Sequence, residues 1–204
     1  MHNTNQSGNL QQSTNVPPQM NHGGHELYDA HEAISTLVGG LEQAVLYEQH
    51  IQDQELKGIH QRHRTFMTQL YNTIIDTFTS GKDPAVPTQT YNMQLNNDVI
   101  FGTQQGQPKT PAQTPGDIND QCVSGYMMGN LKACASAFTM TALEATNPVL
   151  RRVLADSIPN LVEMAYEIFL YQNKHQYYQV PQLKEQDMQN YLNSFAPIQN
   201  TMPH

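Results

Sequence analysis

Five prolines, at positions 84, 87, 108, 111 and 115, rule out a regular helix across residues 82–116. On either side of that stretch the sequence is helical in pattern. The chain therefore reads as two helical pairs held apart by a long connector, and such a connector inside a compact unit needs a topological reason. A helix of about 27 residues is about 40 Å long at 1.5 Å per residue. About a dozen extended residues span that length, so the connector can run from one end of a bundle to the other.

Four segments carry the helical period. In the first, Leu27, Ala30, Ile34, Leu37, Leu41 and Ala44 recur at spacings of three and four, and Glu48 continues the row. The second places Leu56, Ile59, His63, Phe66, Leu70, Ile74 and Phe78 on one face, with Asp53 as its expected N-cap and Gly81 as its stop. The third is expected to start from Asp117 as N-cap and to run through Met127, Leu131, Cys134, Phe138 and Thr141 to about Ala145. The fourth has Asn147 as N-cap and Pro148 at its first position, where a missing N–H costs nothing. Its stripe is Leu154, Ile158, Leu161, Ala165 and Ile168, widened by Val162 and Phe169, and Pro159 is expected to kink it.

The expected fold is all-α: a ferritin-like four-helix bundle of two hairpins, 24–81 and 117–178, joined by a Pro-rich crossover loop over 82–116. A simple up-down-up-down bundle is the alternative, but it needs no long link between its second and third helices. Residues 1–23 and 179–204 are expected to be polar tails, the first of them disordered for want of apolar side chains.

Composition narrows the function classes. The formal charge is −8, and no basic cluster exceeds the Arg151–Arg152 pair, so the chain lacks the electrostatic footprint of a nucleic-acid binder. No run of about 18 apolar residues marks a membrane span. The first residues have neither the basic start nor the apolar stretch of a signal peptide, which points to synthesis and retention in the cytoplasm. Two cysteines fit a reducing compartment. Cys122 and Cys134 are twelve residues apart on one helix, about 18 Å along its axis, whereas a disulfide needs Cα atoms within about 7 Å. They do not pair with each other. Cys134 reads as a core residue, and Cys122 as a free thiol or an intermolecular link.

Two tracts, GGHELYDAHEAI (23–34) and residues 131–180, resemble the coat protein F family of endospore-forming bacteria. The more specific parts are Glu144-x-x-x-Pro148-x-Leu150-Arg151-x-x-Leu154 at the second hairpin turn and the aromatic end Tyr171…Tyr177-Tyr178. The likeness covers about 24–81 and 117–180. It implies a ferritin-like bundle in the proteinaceous spore coat, made in the mother cell, with other coat proteins as partners and no established enzymatic activity.

A ferritin-like bundle raises the question of a carboxylate-bridged di-iron centre, which needs a Glu from each of two helices and Glu-x-x-His from each of the other two. Helix two offers His60-Gln-Arg-His63 without the Glu, helix three has no carboxylate between Cys122 and Met140, and helix four has Glu163 followed by Tyr166 where the His should stand. Glu42 or Glu48 alone fits its role. No catalytic, cofactor-binding or metal residue is therefore assigned. His60 and His63 read as hydrogen-bonded core or boundary side chains. His22, His25, Asp29 and Glu32 form a set that could take Zn²⁺. The preferred reading of that region is acidic complementation of a helix start.

The remaining signal is tyrosine: ten Tyr and no Trp, with Tyr171, Tyr177 and Tyr178 where helix four ends. They read either as bundle capping or as contact and cross-linking groups. The expected function is a structural coat component, with other coat proteins or further copies of itself as partners, assembling through bundle surfaces and polar, Tyr-rich ends, without nucleic acid or membrane insertion. A ferritin-like metal-binding or oxidase protein with a non-standard ligand set is the second reading, and a helical interaction module with a cytosolic partner is the third.

Overall fold

The computed structural model describes residues 16–198. The rest of both tails, 1–15 and 199–204, lies outside the described residues. The fold is all-α, with four main helices: α1 (Gly24–Tyr47), α2 (Gln54–Ser80), α3 (Asp120–Glu144) and α4 (Pro148–Lys174). α1 packs on α2 and α3 on α4 as two hairpins. The hairpins join through α1 against α3 and α2 against α4.

The helix ends are fixed by residues that satisfy otherwise orphaned backbone groups. The Asp53 carboxylate accepts from the N–H groups of Glu55 (2.7 Å) and Leu56 (3.0 Å). Asn147 does the same for Val149 (3.0 Å) and Leu150 (2.9 Å), with Pro148 following as expected. Gly81 closes α2 in the left-handed region at φ 66°. A Cβ there would come within 1.9 Å of the Pro18 carbonyl oxygen, so only glycine fits.

Two junctions differ from the sequence expectation. The N-cap of α3 is Asn119, which accepts from Cys122 N–H at 3.2 Å, and not Asp117. Asp117 instead closes a 3-10 turn, Pro115–Asp117, by accepting from Thr114 and Gln113. Beyond α4 a short helix, α5 (Glu185–Leu192), occupies part of the expected polar tail, with Glu185 and Asp187 favouring its N-terminal turn.

Residues 16–23, assigned from sequence to the disordered tail, also pack on the bundle. Pro18–Met20 form a 3-10 turn against α2, and the His22 ring tilts over Phe78 with centroids 5.7 Å apart. The carboxylate and ring chemistry of Glu26 and Phe78 holds a segment that its own apolar content could not.

The core lies between the four helices. Every stripe residue predicted for α2 is buried or packed against it, and the five of α3 are all buried. Leu27 and Val162 are corrections, for both face solvent at the rims of their stripes. Ala33 and Glu26 fill the α1 face instead.

Ends meet in a way that settles the topology. Asp120, starting α3, accepts from Gln52 N–H (2.9 Å) just before α2. Lys174, ending α4, pairs with Glu55 (2.8 Å), and Asn147, starting α4, donates to Gly81 O (3.2 Å) at the end of α2. α2 and α3 therefore begin at the same end of the bundle. The 81–114 segment must travel its length, as a crossover does.

Candidate functional site

The connector lies along α4 as an extended strap, pinned by three buried polar side chains of that helix. Asn160 accepts from Tyr91 N–H (2.7 Å) and donates to Gln89 O (3.0 Å). Between three and four turns further along α4, at the other end of the strap's ordered run, Asn173 accepts from Ile100 N–H (2.6 Å) and donates to Ile100 O (3.0 Å). Between them stands Glu167. A backbone crossing an apolar helix face needs partners for its N–H and C=O groups, and these amides and this carboxylate supply them. Past Asn173 the strap meets the end of α4, where Gly102 N–H donates to Val180 O at 2.9 Å.

Glu167 is fully buried and receives donors from two directions. From α2 come Arg62 Nη2 (2.6 Å) and His63 Nε2 (3.0 Å); from the strap come Gln94 N–H (2.9 Å) and the Tyr91 phenol. Burial alone would raise its pKa. The donors, His63 foremost, outweigh burial and hold the carboxyl at about 2. Burial keeps His63 below its ordinary value despite the carboxylate beside it, so the ring is neutral and its Nε2 carries the proton donated to Glu167. Burial, joined by the carboxylate, pushes the Tyr91 phenol up, so it stays protonated. The Tyr91 ring also meets His63 and Phe66 edge-on, both with centroids 5.3 Å apart.

A second buried carboxylate, Glu26, organises the opposite end. It accepts from Thr146 N–H (2.7 Å), Thr146 Oγ1 (2.5 Å), Asn147 N–H (2.9 Å), Gly23 N–H (3.3 Å) and the His22 ring (2.6 Å). Burial opposes ionisation here too, and the donors from Thr146, His22 and Asn147 more than compensate, lowering the pKa. One side chain thus ties the start of α1 to the α3–α4 turn and to the N-terminal segment.

The structure disperses the residues weighed for Zn²⁺. His22 turns to Glu26, His25 and Glu32 are exposed, and Asp29 contributes its carbonyl to Thr141 Oγ1 at 3.1 Å. Among the described residues no three His, Cys, Asp or Glu side chains cluster as a metal group. A di-iron centre does not fit either. Glu42 is exposed, Glu48 pairs at the surface with Arg64 (3.0 Å), and Tyr166 stacks on Phe169 with centroids 5.7 Å apart. Glu163 is half-buried, and the one carboxylate in the middle of the bundle, Glu167, is already occupied by its four donors.

The two histidines of α2 take up the roles read for them, with a partner that sequence reasoning missed. His60 is buried and donates from Nε2 to the Ala44 carbonyl (2.8 Å). His63 has an acid after all, 104 residues away. Cys134 is buried in the core, where burial pushes its thiol up to about 11, and Cys122 is half-buried and free.

At the end of α4 the tyrosines divide. Tyr171 is wholly buried, while Tyr177 and Tyr178 are 37% and 45% exposed. Tyr177 stacks on His175 (5.5 Å) and Tyr178 stands edge-on to Phe169 (5.3 Å), and both backbone N–H groups return to Gln172 O. No described helix is long and apolar enough to cross a membrane.

The Coat F domain family matches residues 119–181, which span α3, α4 and the aromatic end. The Bacillus subtilis (strain 168) spore coat protein F-like protein YhcQ is 49% identical over 181 residues, covering 89% of this chain and 83% of that protein. No solved structure matches the chain.

Proposed function

The chain belongs to the Coat F family, and on that premise we propose that it is a structural component of the bacterial spore coat. It joins neighbouring coat proteins, or further copies of itself, through the aromatic end of the bundle and the C-terminal segment beyond it. The relative's printed name supports the location. The observation that carries the mode of assembly is the C-terminal segment itself. Leu183, Tyr191, Leu192, Phe195 and Ile198 are all exposed within it, Phe195 at 92%. Apolar side chains gathered in one exposed segment mark an interaction surface, and aromatic ones bury much area at low entropic cost.

The reading is tested by following fluorescent fusions of the full chain, and of a chain ending at 182, through spore development. The full chain is expected to form a shell around the forespore, and the shortened one to remain diffuse. A full-length fusion that never reaches the spore surface would refute the coat assignment. A shortened chain that localises normally would move the assembly surface elsewhere.

A further inference from the structure

Between the four main helices, each of which contributes to its lining, is a cavity of about 50 Å³. That is room for one small ligand, and far too little for an organic substrate. Its lining includes His60, His63, Met67, Met127 and Met164, contributed by α2, α3 and α4, and also Arg64, whose charge is paired with Glu48 at 3.0 Å.

Both rings are held in one orientation by bonds to pure acceptors. His60 Nε2 bonds the Ala44 carbonyl and His63 Nε2 bonds the Glu167 carboxylate, so each Nε2 carries the proton and each Nδ1 the lone pair. This is the outer-shell arrangement that fixes tautomer and direction for a metal-binding imidazole. His60 is 1% exposed, and its Nδ1, sealed from solvent, has no hydrogen-bond partner among the described residues. A buried lone pair left without a donor calls for a ligand.

We propose that this cavity is a binding site for a single Cu(I) ion, held by the His60 and His63 imidazoles and by one or two thioethers drawn from Met67, Met127 and Met164. The donor set decides the metal class. Thioethers are soft, neutral ligands that favour Cu(I), and imidazole suits it as well. No carboxylate or thiolate lines the cavity. The hard oxygen donors of Mg²⁺ and Ca²⁺ are therefore missing, as is the anionic set that usually holds Zn²⁺. A ligand set without charge also suits a monovalent cation better than a divalent one, because the unbalanced charge brought into the interior is smaller.

The site is tested on the full chain by anaerobic titration with Cu(I) against a chromogenic Cu(I) chelator, followed by X-ray absorption at the copper edge. The expected result is one copper per chain with both nitrogen and sulfur scatterers. Replacing Met67, Met127 and Met164 by Leu keeps the side-chain volume. The triple variant should retain the wild-type far-UV spectrum and melting temperature and bind at least about tenfold more weakly. Should it fail to fold, Met67→Leu alone is compared, and a smaller sulfur contribution to the copper-edge scattering than in wild type is the readout. Copper that stays with the chelator in the wild type, or a bound ion with only nitrogen and oxygen neighbours, overturns the proposal and leaves the cavity a water site.

Discussion

The phenol of Tyr91 donates to the carboxylate of Glu167 in the interior of the bundle, so the crossover strap is tied to the same side chain that binds α2 to α4. Removing the carboxylate leaves Arg62, His63 and Tyr91 without their acceptor. Glu167→Ala is expected to cost about 3 kcal/mol, in the range for breaking a buried charged pair. Tyr91→Phe removes one donor and should cost about 1–2 kcal/mol. Urea denaturation of both single variants and the double variant measures the coupling. Costs that simply add would show that the two side chains do not act together.

Acid should loosen the protein in two stages. Burial holds His60 and His63 below the ordinary value of 6.5. Below that pH the unfolded chain takes up protons that the folded rings refuse, and stability falls. Glu167 has a folded value of about 2 against an ordinary 4.5. Its contribution is complete above 4.5 and drains away as the pH drops towards 2. Denaturation midpoints should therefore stay level from pH 8 to 7, decline below 6.5 and decline more steeply below 4.5. In Glu167→Gln the second stage should shrink to what Glu26, also held below its ordinary value by its donors, contributes, and a midpoint that falls as steeply below 4.5 in that variant as in wild type would remove Glu167 from this role.

Limited proteolysis should divide the connector. The stretch from Gln89 to Ile100 is held by Asn160, Glu167 and Asn173, and Tyr91 is buried. Residues 103–114 are exposed. Trypsin is expected to cut after Lys109, while chymotrypsin spares Tyr91. Glu167→Ala should open the Tyr91 site, as mass spectrometry of the fragments would reveal. Early cleavage at Tyr91 in the wild type would mean that the strap is not docked.

Replacing both Tyr177 and Tyr178 by Ala should leave the bundle folded, because both are partly exposed and their backbone N–H bonds to Gln172 remain. If they serve assembly, the variant is released more readily than wild type from spore coats extracted under denaturing, reducing conditions. Equal extraction with equal melting temperatures would reduce the pair to bundle capping.

What could be read from sequence was local. The caps at Asp53 and Asn147, the Gly81 stop and the α2 stripe each depend on residues within a turn or two, and all appear where expected. The crossover could be read from chain length alone. The Glu167 cluster was not legible, because its partners lie 73 to 105 residues away. One signal pointed to it. Asn160, Met164, Glu167 and Tyr171 share the α4 row, so a carboxylate stands where an apolar residue belongs. The α3 start was misplaced because Asp117 and Asn119 are both good caps, and only the Thr114–Asp117 turn decides between them.

The strap bears on the order in which the fold is made and lost. Its anchors pair residues about 70 positions apart, and Glu167 gathers its full set of donors only once α2 and α4 lie side by side. The hairpins gain from near-neighbour contacts first, and closing the strap follows. Interactions absent from the folding barrier slow the escape from the native state without hastening arrival. The clasp on Glu167 is thus a brake on unfolding, and it lengthens the life of each folded molecule more than it speeds the making of one.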